Sequence, residues 1–155
     1  MGGTILGTDC EILEYSDYLD TMGFGSGHYN AFQKDRLGWL PDVTSTVQSS
    51  GVYELDLYEA APASKPKVLK IQKAPGQWYY IEYRQPIGFD GFLLSNDNVR
   101  NGVVIHMGTE WDNNSSLFLD MTPETNSWYD PALEVGQSFF DPNAGVTITL
   151  LWAKD

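Results

Sequence analysis

The chain has 155 residues, of which 42% are hydrophobic, and its 9 basic and 21 acidic side chains give a formal net charge of −12 at pH 7. This length and apolar content are enough for one domain with a filled core, and they exclude a disordered acidic tail. The charge excludes nucleic-acid binding, because nine scattered cations cannot form the basic stripe that neutralises phosphates.

The apolar runs are too short to cross a membrane. The longest, residues 102–105 and 146–152, fall well below the roughly 20 residues that span a bilayer. The first residues also lack the basic start and apolar core of a signal peptide. We therefore expect no membrane contact and no export signal within this chain.

The amino-terminal forty residues predict one short helix. Residues 22–27 contain too many glycines for regular structure and predict a turn-rich loop. Ser26-Gly27 then precedes a helix-compatible run whose basic residues come late and which ends at Gly38. We predict a helix over residues 28–37.

From Asp42 onward the pattern alternates with period two. Tyr53, Leu55 and Leu57 fall on one side of an extended chain and Glu54 on the other, which is typical of a half-buried strand. Similar runs recur at residues 68–73, 78–84, 102–107, 117–121 and 147–152, separated by clusters rich in Pro, Gly, Asn and Asp.

These runs predict a mainly β protein, an antiparallel β-sandwich of jelly-roll-like type. Residues 60–66 and 88–101 are expected to be its long loops.

The densest aromatic stretch is residues 77–83. Alternation places Trp78, Tyr80 and Glu82 on one face of a strand and Tyr79, Ile81 and Tyr83 on the other. A central strand covered on both faces explains this pattern, and core packing is the favoured interpretation. The alternative is a ligand platform formed by Trp78, Tyr80 and Trp128.

Candidates for metal chemistry are sparse. The sequence has no His-Glu-x-x-His segment, and its two histidines, His28 and His106, are expected to be surface or cap residues. Its one cysteine, Cys10, is expected to act as a small hydrophobe. Calcium remains an alternative, because three loops cluster oxygen ligands, although the conformational preference of Asn and Asp for turns is the favoured explanation. The loops contain Asp90, Asn96, Asp97 and Asn98; Asp112, Asn113 and Asn114; and Asp141 and Asn143.

Two amino-terminal segments resemble the end of the catalytic domain of gametolysin-type metallopeptidases. This family belongs to the metzincin zinc peptidases. They are residues 14–23, which end in Asp20-Thr21-Met22-Gly23, and residues 28–40, which end in Leu37-Gly38-Trp39-Leu40. Shorter similarities continue through residues 50–55, 80–85, 102–106 and 119–123, so the resemblance runs from about Glu11 to the end.

The resemblance implies a Met-turn at Asp20, Met22 and Gly23, whose methionine lies beneath the zinc in that family without binding it. The zinc-binding helix of the family should precede this turn, but the 21 residues before Met22 contain no histidine. No catalytic residue and no zinc ligand therefore carry over to this chain.

The resemblance also predicts the domain organisation. Residues 1–40 would be the Met-turn and terminal-helix remnant of a metallopeptidase-like domain, and residues 41–155 the β-sandwich. The apolar side chains of the remnant would need the missing catalytic portion, the sandwich or a second chain to cover them. These side chains are Tyr29, Phe32, Leu37 and Trp39.

The expected function is that of a non-catalytic accessory or structural domain of a secreted gametolysin-like zinc metallopeptidase, or of a degenerate homologue. The alternative is a carbohydrate- or protein-binding β-sandwich module, and a hydrolase with an unrecognised site is the third hypothesis. On the first two hypotheses the chain has no cofactor of its own, and zinc belongs only to the family it resembles.

Overall fold

The computed structural model describes residues 2–3, 11–23 and 25–154 and shows a mainly β fold. Cys10 lies outside the described residues. No helix in the described part of the chain is long and apolar enough to cross a membrane.

Ten strands and three short helices make up the described elements. The strands are β1 (Gly2–Gly3), β2 (Ile12–Leu13), β3 (Thr44–Thr46), β4 (Val68–Ala74), β5 (Gln77–Glu82), β6 (Gly102–Thr109), β7 (Asp112–Leu119), β8 (Leu133–Glu134), β9 (Ser138–Asp141) and β10 (Val146–Thr149). The helices are α1 (Ala31–Arg36), a 3₁₀ helix (Gly88–Ser95) and α2 (Asp97–Asn101).

The large sheet has the order β2-β1-β7-β6-β5-β4-β3, and β8 pairs with β6. Its centre, β4 to β7, is antiparallel, whereas β3 joins β4 and β1 joins β7 in parallel. The sheet is therefore mixed at its edges, where the sequence predicted antiparallel pairing.

The two faces of the sheet follow the alternation of β5 and β6. We call the side that carries Tyr79, Ile81 and Val103 the groove face, because these residues belong to one apolar cluster. The opposite side, which we call the helix face, carries Tyr80 and Glu82. The face assignment made for residues 77–83 is thus confirmed, as is the core packing of this strand.

A second layer covers part of the groove face. It consists of the β9–β10 pair and of the irregular chain at residues 51–57. Phe139 of β9 packs edge-on against Tyr79, with 5.3 Å between ring centroids. Along β10 and the chain after it, Val146, Ile148 and Leu150 turn inward to the same cluster.

The helix face is covered by the amino-terminal segment, α1, the 3₁₀ helix and α2. Phe32 of α1 packs edge-on against Tyr80, with ring centroids 5.8 Å apart. Its ring also lies on Gly108 of β6, where an added Cβ would meet a ring carbon at 2.3 Å. This close approach requires glycine at position 108.

Helix α1 is shorter than predicted. It begins after Asn30, whose Oδ1 accepts a hydrogen bond from the Gln33 backbone N–H, and not after Ser26. The predicted end is confirmed, because Gly38 adopts a φ of +72° and the basic residues Lys34 and Arg36 lie in the last turn.

Two further predictions are corrected. Residues 53–58 form no strand, although Leu55 and Leu57 do pack against the core. Residues 88–101, expected to be a loop, form the 3₁₀ helix and α2. Asn96 caps α2 by accepting a hydrogen bond from the Val99 N–H, so an Asn that suggested a turn here starts a helix.

Candidate functional site

An apolar groove of about 630 Å³ lies over the groove face. Its floor consists of residues from β4, β5 and β6 and of Tyr83, which directly follows β5. The strand residues are Leu69, Ile71, Ile81 and Val103. Its walls are two stretches of chain, residues 47–57 and residues 145–154, the second of which contains β10. The groove therefore lies between two parts of the second layer that do not meet above it.

The walls offer both apolar side chains and backbone. Leu55 and Leu57 line one wall, and Ile148 and Leu150 line the other. The upper rim remains in solvent, where Val52 is 66% exposed.

The charged groups of the groove lie near its ends. Lys65 forms an ion pair with Glu54, and the backbone N–H groups of Ser64 and Lys65 donate to Asp56. These hydrogen bonds lower the pKa of Asp56. Lys154 approaches the same corner, since the Tyr83 hydroxyl donates to its carbonyl oxygen.

This composition suits binding better than catalysis. The volume lies in the range of about 300–1,000 Å³ that is usual for ligand sites. Among the described residues, no histidine or cysteine lines the groove, and its carboxylates are held by Lys65 and by backbone N–H groups.

A network of buried ionisable groups lies on the helix face. Arg84, which is fully buried, donates from Nη1 to Glu82 at 2.9 Å and from Nε to Asp90 at 2.7 Å. His106, also fully buried, binds Asp17 through Nε2 at 2.9 Å, and its Nδ1 lies 3.2 Å from Glu82 Oε1. The second contact is an ion-pair distance rather than an aligned hydrogen bond.

The carboxylates set the charge of His106. Burial alone would lower the pKa of the imidazole, but Asp17 and Glu82 outweigh burial and raise it to about 10. For Glu82, burial alone would raise the pKa of the carboxyl. The positive charges of His106 and Arg84 outweigh burial and lower this pKa. The imidazolium is thus charged at neutral pH and paired on both sides.

The far end of the network contains a carboxyl that keeps its proton. Glu59 lies beside Asp90 and 3.5 Å from Arg84 Nε, and only 1% of its side chain is exposed. Burial and a hydrogen bond with Asp90 raise the pKa of Glu59 to about 8. Because one arginine faces three carboxyl groups here, a retained proton reduces their repulsion.

Lys34 and His28 lie where the network approaches the surface. Lys34 Nζ is 3.3 Å from His28 Nδ1 and 4.0 Å from the centroid of the Tyr58 ring. Partial burial lowers the pKa of Lys34 to about 8, and burial also lowers the pKa of His28.

The network joins the amino-terminal segment to the sheet. Glu82 Oε1 accepts from the Ala31 N–H at 2.7 Å, Asp90 Oδ1 accepts from the His28 N–H at 2.9 Å, and Arg84 donates to the Leu19 carbonyl at 3.0 Å. These contacts fix the start of α1. Because Glu82, Arg84 and His106 are completely buried, they hold the fold together and do not face a substrate.

His106 corrects a prediction, since it was expected at the surface or at a cap. Its ring stacks on Phe118, with centroids 4.7 Å apart, under the amino-terminal segment. The sequence showed that it shares a strand with apolar neighbours, but not that Asp17, 89 positions away, binds it. His28 is half-buried, and the two histidines bind different partners.

The residues of the expected Met-turn do form a tight turn. The Gly23 N–H donates to the Asp20 carbonyl at 2.9 Å, and Asp20 Oδ1 accepts from the Met22 N–H at 3.0 Å. Gly23 fits closely against the backbone of Asp17, where an added Cβ would lie 2.3 Å from a carbonyl oxygen. The side chain of Met22 is 51% exposed and covers no core.

The proposed aromatic platform is not assembled in one place. Tyr80 is buried, and its hydroxyl donates to Asp35. Trp78 is half-buried on the same face and donates from Nε1 to Glu110. Trp128 lines a separate, smaller pocket with residues that include Tyr15.

The four apolar residues expected to need a partner differ in exposure. Phe32 is buried against the sheet of this chain. Tyr29 is half-buried and packs edge-on against Trp39, with centroids 5.7 Å apart. Leu37 and Trp39 are 42% and 58% exposed, so they remain the open part of this surface.

The acidic loops act as local caps. Asp112 and Asp141 each accept a backbone N–H two residues ahead, and Asp141 also binds Lys73 and the Tyr79 hydroxyl. Asp90 is bound by Arg84. Within residues 11–23 and 25–154, no group of three or more His, Cys, Asp and Glu side chains is placed to hold a metal ion.

Comparisons with known proteins add no relative. No family model matches the chain, and neither the curated proteins nor the solved structures give a significant match.

Proposed function

We propose that this chain is a non-catalytic, β-rich accessory domain that binds a partner in the groove. The observation that carries the proposal is the 630 Å³ apolar groove, which remains open above the central strands. The most deeply buried ionisable groups, by contrast, are paired with one another on the other face.

The finer fold assignment belongs to the same proposal. An antiparallel, jelly-roll-like sandwich has two full layers, and this chain has one large sheet and a partial second layer. A bound partner in the groove would complete the second layer.

The resemblance to gametolysin-type peptidases supplies the proposed context, a secreted zinc peptidase with a separate catalytic portion. The turn at Asp20–Gly23 and the half-exposed Trp39 support it, because the turn fits the expected Met-turn and Trp39 offers a contact for that portion. Carbohydrate binding is less supported, since Tyr80 is buried and Trp128 lies in another pocket.

The groove can be tested with Nile red, an uncharged dye whose fluorescence rises in apolar sites. We expect saturable binding to the wild-type chain and at least ten-fold weaker binding to the double variant Val52→Asp/Leu151→Asp. Both residues line the groove and are more than half exposed, at 66% and 53%. The matched control is Leu94→Asp, at a position 69% exposed on the 3₁₀ helix.

Equal dye binding by all three proteins, or no saturable binding at all, would reject the groove as the binding site. Stoichiometric zinc together with peptide cleavage by the purified chain would reject the non-catalytic assignment.

A further inference from the structure

The two walls of the groove present backbone groups without partners. Within residues 51–55, no backbone N–H or C=O makes a hydrogen bond to another described residue. The backbone of residues 151–153 is equally unpaired among the described residues. Backbone hydrogen bonds resume next to each stretch. The Asp56 N–H, just after residue 55, donates to the Pro66 carbonyl, and the Leu150 N–H, just before residue 151, donates to the Gln137 carbonyl.

The wall formed by β10 is also an open edge. β10 pairs with β9 on one side only, so about half of its N–H and C=O groups point away from that partner. Its side chains alternate, with Val146 and Ile148 half-buried and Thr147 and Thr149 exposed. This alternation is that of a strand with one covered face, and its second edge has no strand partner among the described residues.

The walls of the groove are long enough to pair with one more strand. Each wall contains five or more residues, and five residues of a strand span about 17 Å at roughly 3.3 Å per residue. A strand lying between them would direct alternate side chains onto the apolar floor at Ile71, Ile81 and Val103. The side chains between would face solvent beside Thr147 and Thr149.

Backbone satisfaction distinguishes a strand from other apolar occupants. A lipid chain would cover the floor but leave the N–H and C=O groups of both walls facing an occupant that cannot bond them, which opposes binding because each buried group loses its hydrogen bonds to water. A polypeptide strand covers the same floor and pairs with both walls.

Charge indicates which polypeptide fits. The four charged residues of the groove balance, with Glu54 and Asp56 against Lys65 and Lys154. The whole chain carries −12, and residues 101–153 contain no Lys or Arg. A segment with an uncharged apolar centre and basic flanks is therefore attracted, whereas an acidic segment is repelled.

We propose that the groove binds one extended segment of a partner protein, with alternating apolar residues and basic flanks, which adds a strand between residues 51–55 and β10. This inference rests on the proposed function and identifies the occupant of the same site.

The experiment begins with phage-displayed random twelve-residue peptides. They are selected on the wild-type chain and counter-selected on Val52→Asp/Leu151→Asp. We expect the enriched peptides to alternate apolar and polar residues between Lys or Arg flanks. The best of them is then synthesised with single N-methyl groups, which remove one backbone donor and leave the side chains unchanged.

N-methylation at a central residue is expected to weaken binding at least ten-fold, and N-methylation at a flanking basic residue less than two-fold. Hydrogen exchange gives an independent measurement. Bound peptide should slow exchange at residues 51–55, along β10 and at residues 151–153, and leave the 3₁₀ helix unchanged.

The outcomes separate this inference from the proposed function. Peptides that bind the groove without sensitivity to N-methylation would overturn strand addition and leave groove binding intact. Failure to enrich any peptide, together with normal Nile red binding, would also overturn it, whereas failure of both probes would overturn both proposals. Dimerisation without peptide that slows exchange at the same residues would show that the occupant is a second copy.

Discussion

The two faces of the large sheet are completed in different ways. The helix face is closed by the protein's own chain, and its contacts include a fully buried set of charges centred on Glu82, Arg84 and His106. The groove face is apolar and only partly covered, by β9–β10 and the irregular chain at residues 51–57. Neighbouring residues of β5, such as Tyr80 and Ile81, therefore lie in very different surroundings.

The difference concerns where specificity comes from. Buried ion pairs add little net stability but tolerate only one arrangement, because each charge must find its partner. Such ion pairs are suited to holding the amino-terminal segment in one fixed position on the sheet. The apolar floor of the groove, which lies between unpaired backbone groups, can contact many different apolar side chains of a partner. This property is suited to a site that binds and releases a partner.

The largest expected effect is at Arg84. Arg84→Met removes the cation that faces Glu82, Asp90 and Glu59 and leaves buried carboxylates without their partner. We expect a loss of about 3–5 kcal/mol in the free energy of unfolding, measured by urea denaturation. Arg100→Met, at a half-exposed arginine paired with an exposed Asp97, is the control and should cost less than about 1 kcal/mol. Similar costs for the two variants would contradict the role given to the network.

The next effect separates two aromatic residues that the sequence grouped together. Phe32→Ala removes a ring buried between Tyr80 and Gly108 and should cost about 3–5 kcal/mol. Trp39→Ala removes a ring that is 58% exposed and should cost less than about 1 kcal/mol. Thermal or urea unfolding checks both values. Equal losses would mean that Trp39 is covered within this chain.

The pH dependence of stability tests the charge of His106. Its folded pKa of about 10 lies above the unfolded value of 6.5, so its contribution is complete below pH 6.5 and is lost as the pH rises toward 10. Glu59, raised from 4.5 to about 8, acts in the same sense, and its contribution is lost between those two pH values. The lowered pKa of Glu82 acts oppositely, and its contribution is lost as the pH falls below 4.5.

Lys34, whose pKa is lowered from 10.5 to about 8, opposes this loss, because its contribution returns as the pH rises from 8 to 10.5. Wild-type stability should still fall by a few kcal/mol between pH 6.5 and 10, since each unit of pKa shift corresponds to about 1.4 kcal/mol. His106→Gln should flatten this limb of the curve. His28→Gln is the control and should leave it unchanged, because the pKa of His28 is lowered and its contribution changes only below pH 6.5. If His106→Gln leaves the slope between pH 6.5 and 10 unchanged, His106 is neutral in the folded protein.

Local patterns predicted much of the framework. Alternation located β4, β5, β6 and β10 and assigned the faces of β5, because a half-buried strand must alternate. The end of helix α1 at Gly38 could also be predicted, because few residues other than glycine adopt the positive φ that ends a helix in this way.

The sites depended on contacts between distant positions. Alternation placed Glu82 on the same face as Trp78 and Tyr80, which was the available signal for a buried carboxylate. Its partner His106, however, lies on another strand, and Asp17 lies in a turn. The groove was equally hidden, because residues 53–58 have the pattern of a strand and only the tertiary arrangement leaves residues 53–55 without a backbone hydrogen-bond partner among the described residues.

The smallest expected effect concerns the open face. Val52→Asp and Leu151→Asp each place a charge at a rim position that is more than half exposed, so each should change the free energy of unfolding by no more than about 0.5 kcal/mol. The comparison is Phe139→Asp, which places a charge in the covered part of the same face, where the side chain is fully buried against Tyr79, and should prevent folding or cost several kcal/mol. Urea unfolding of the three variants measures the contrast.

If the rim variants lose as much stability as Phe139→Asp, the groove is closed in solution and has no room for a partner. If they keep wild-type stability while losing the bound peptide, the two functions of this face are separable, with β9 holding the fold and the open edge holding the partner.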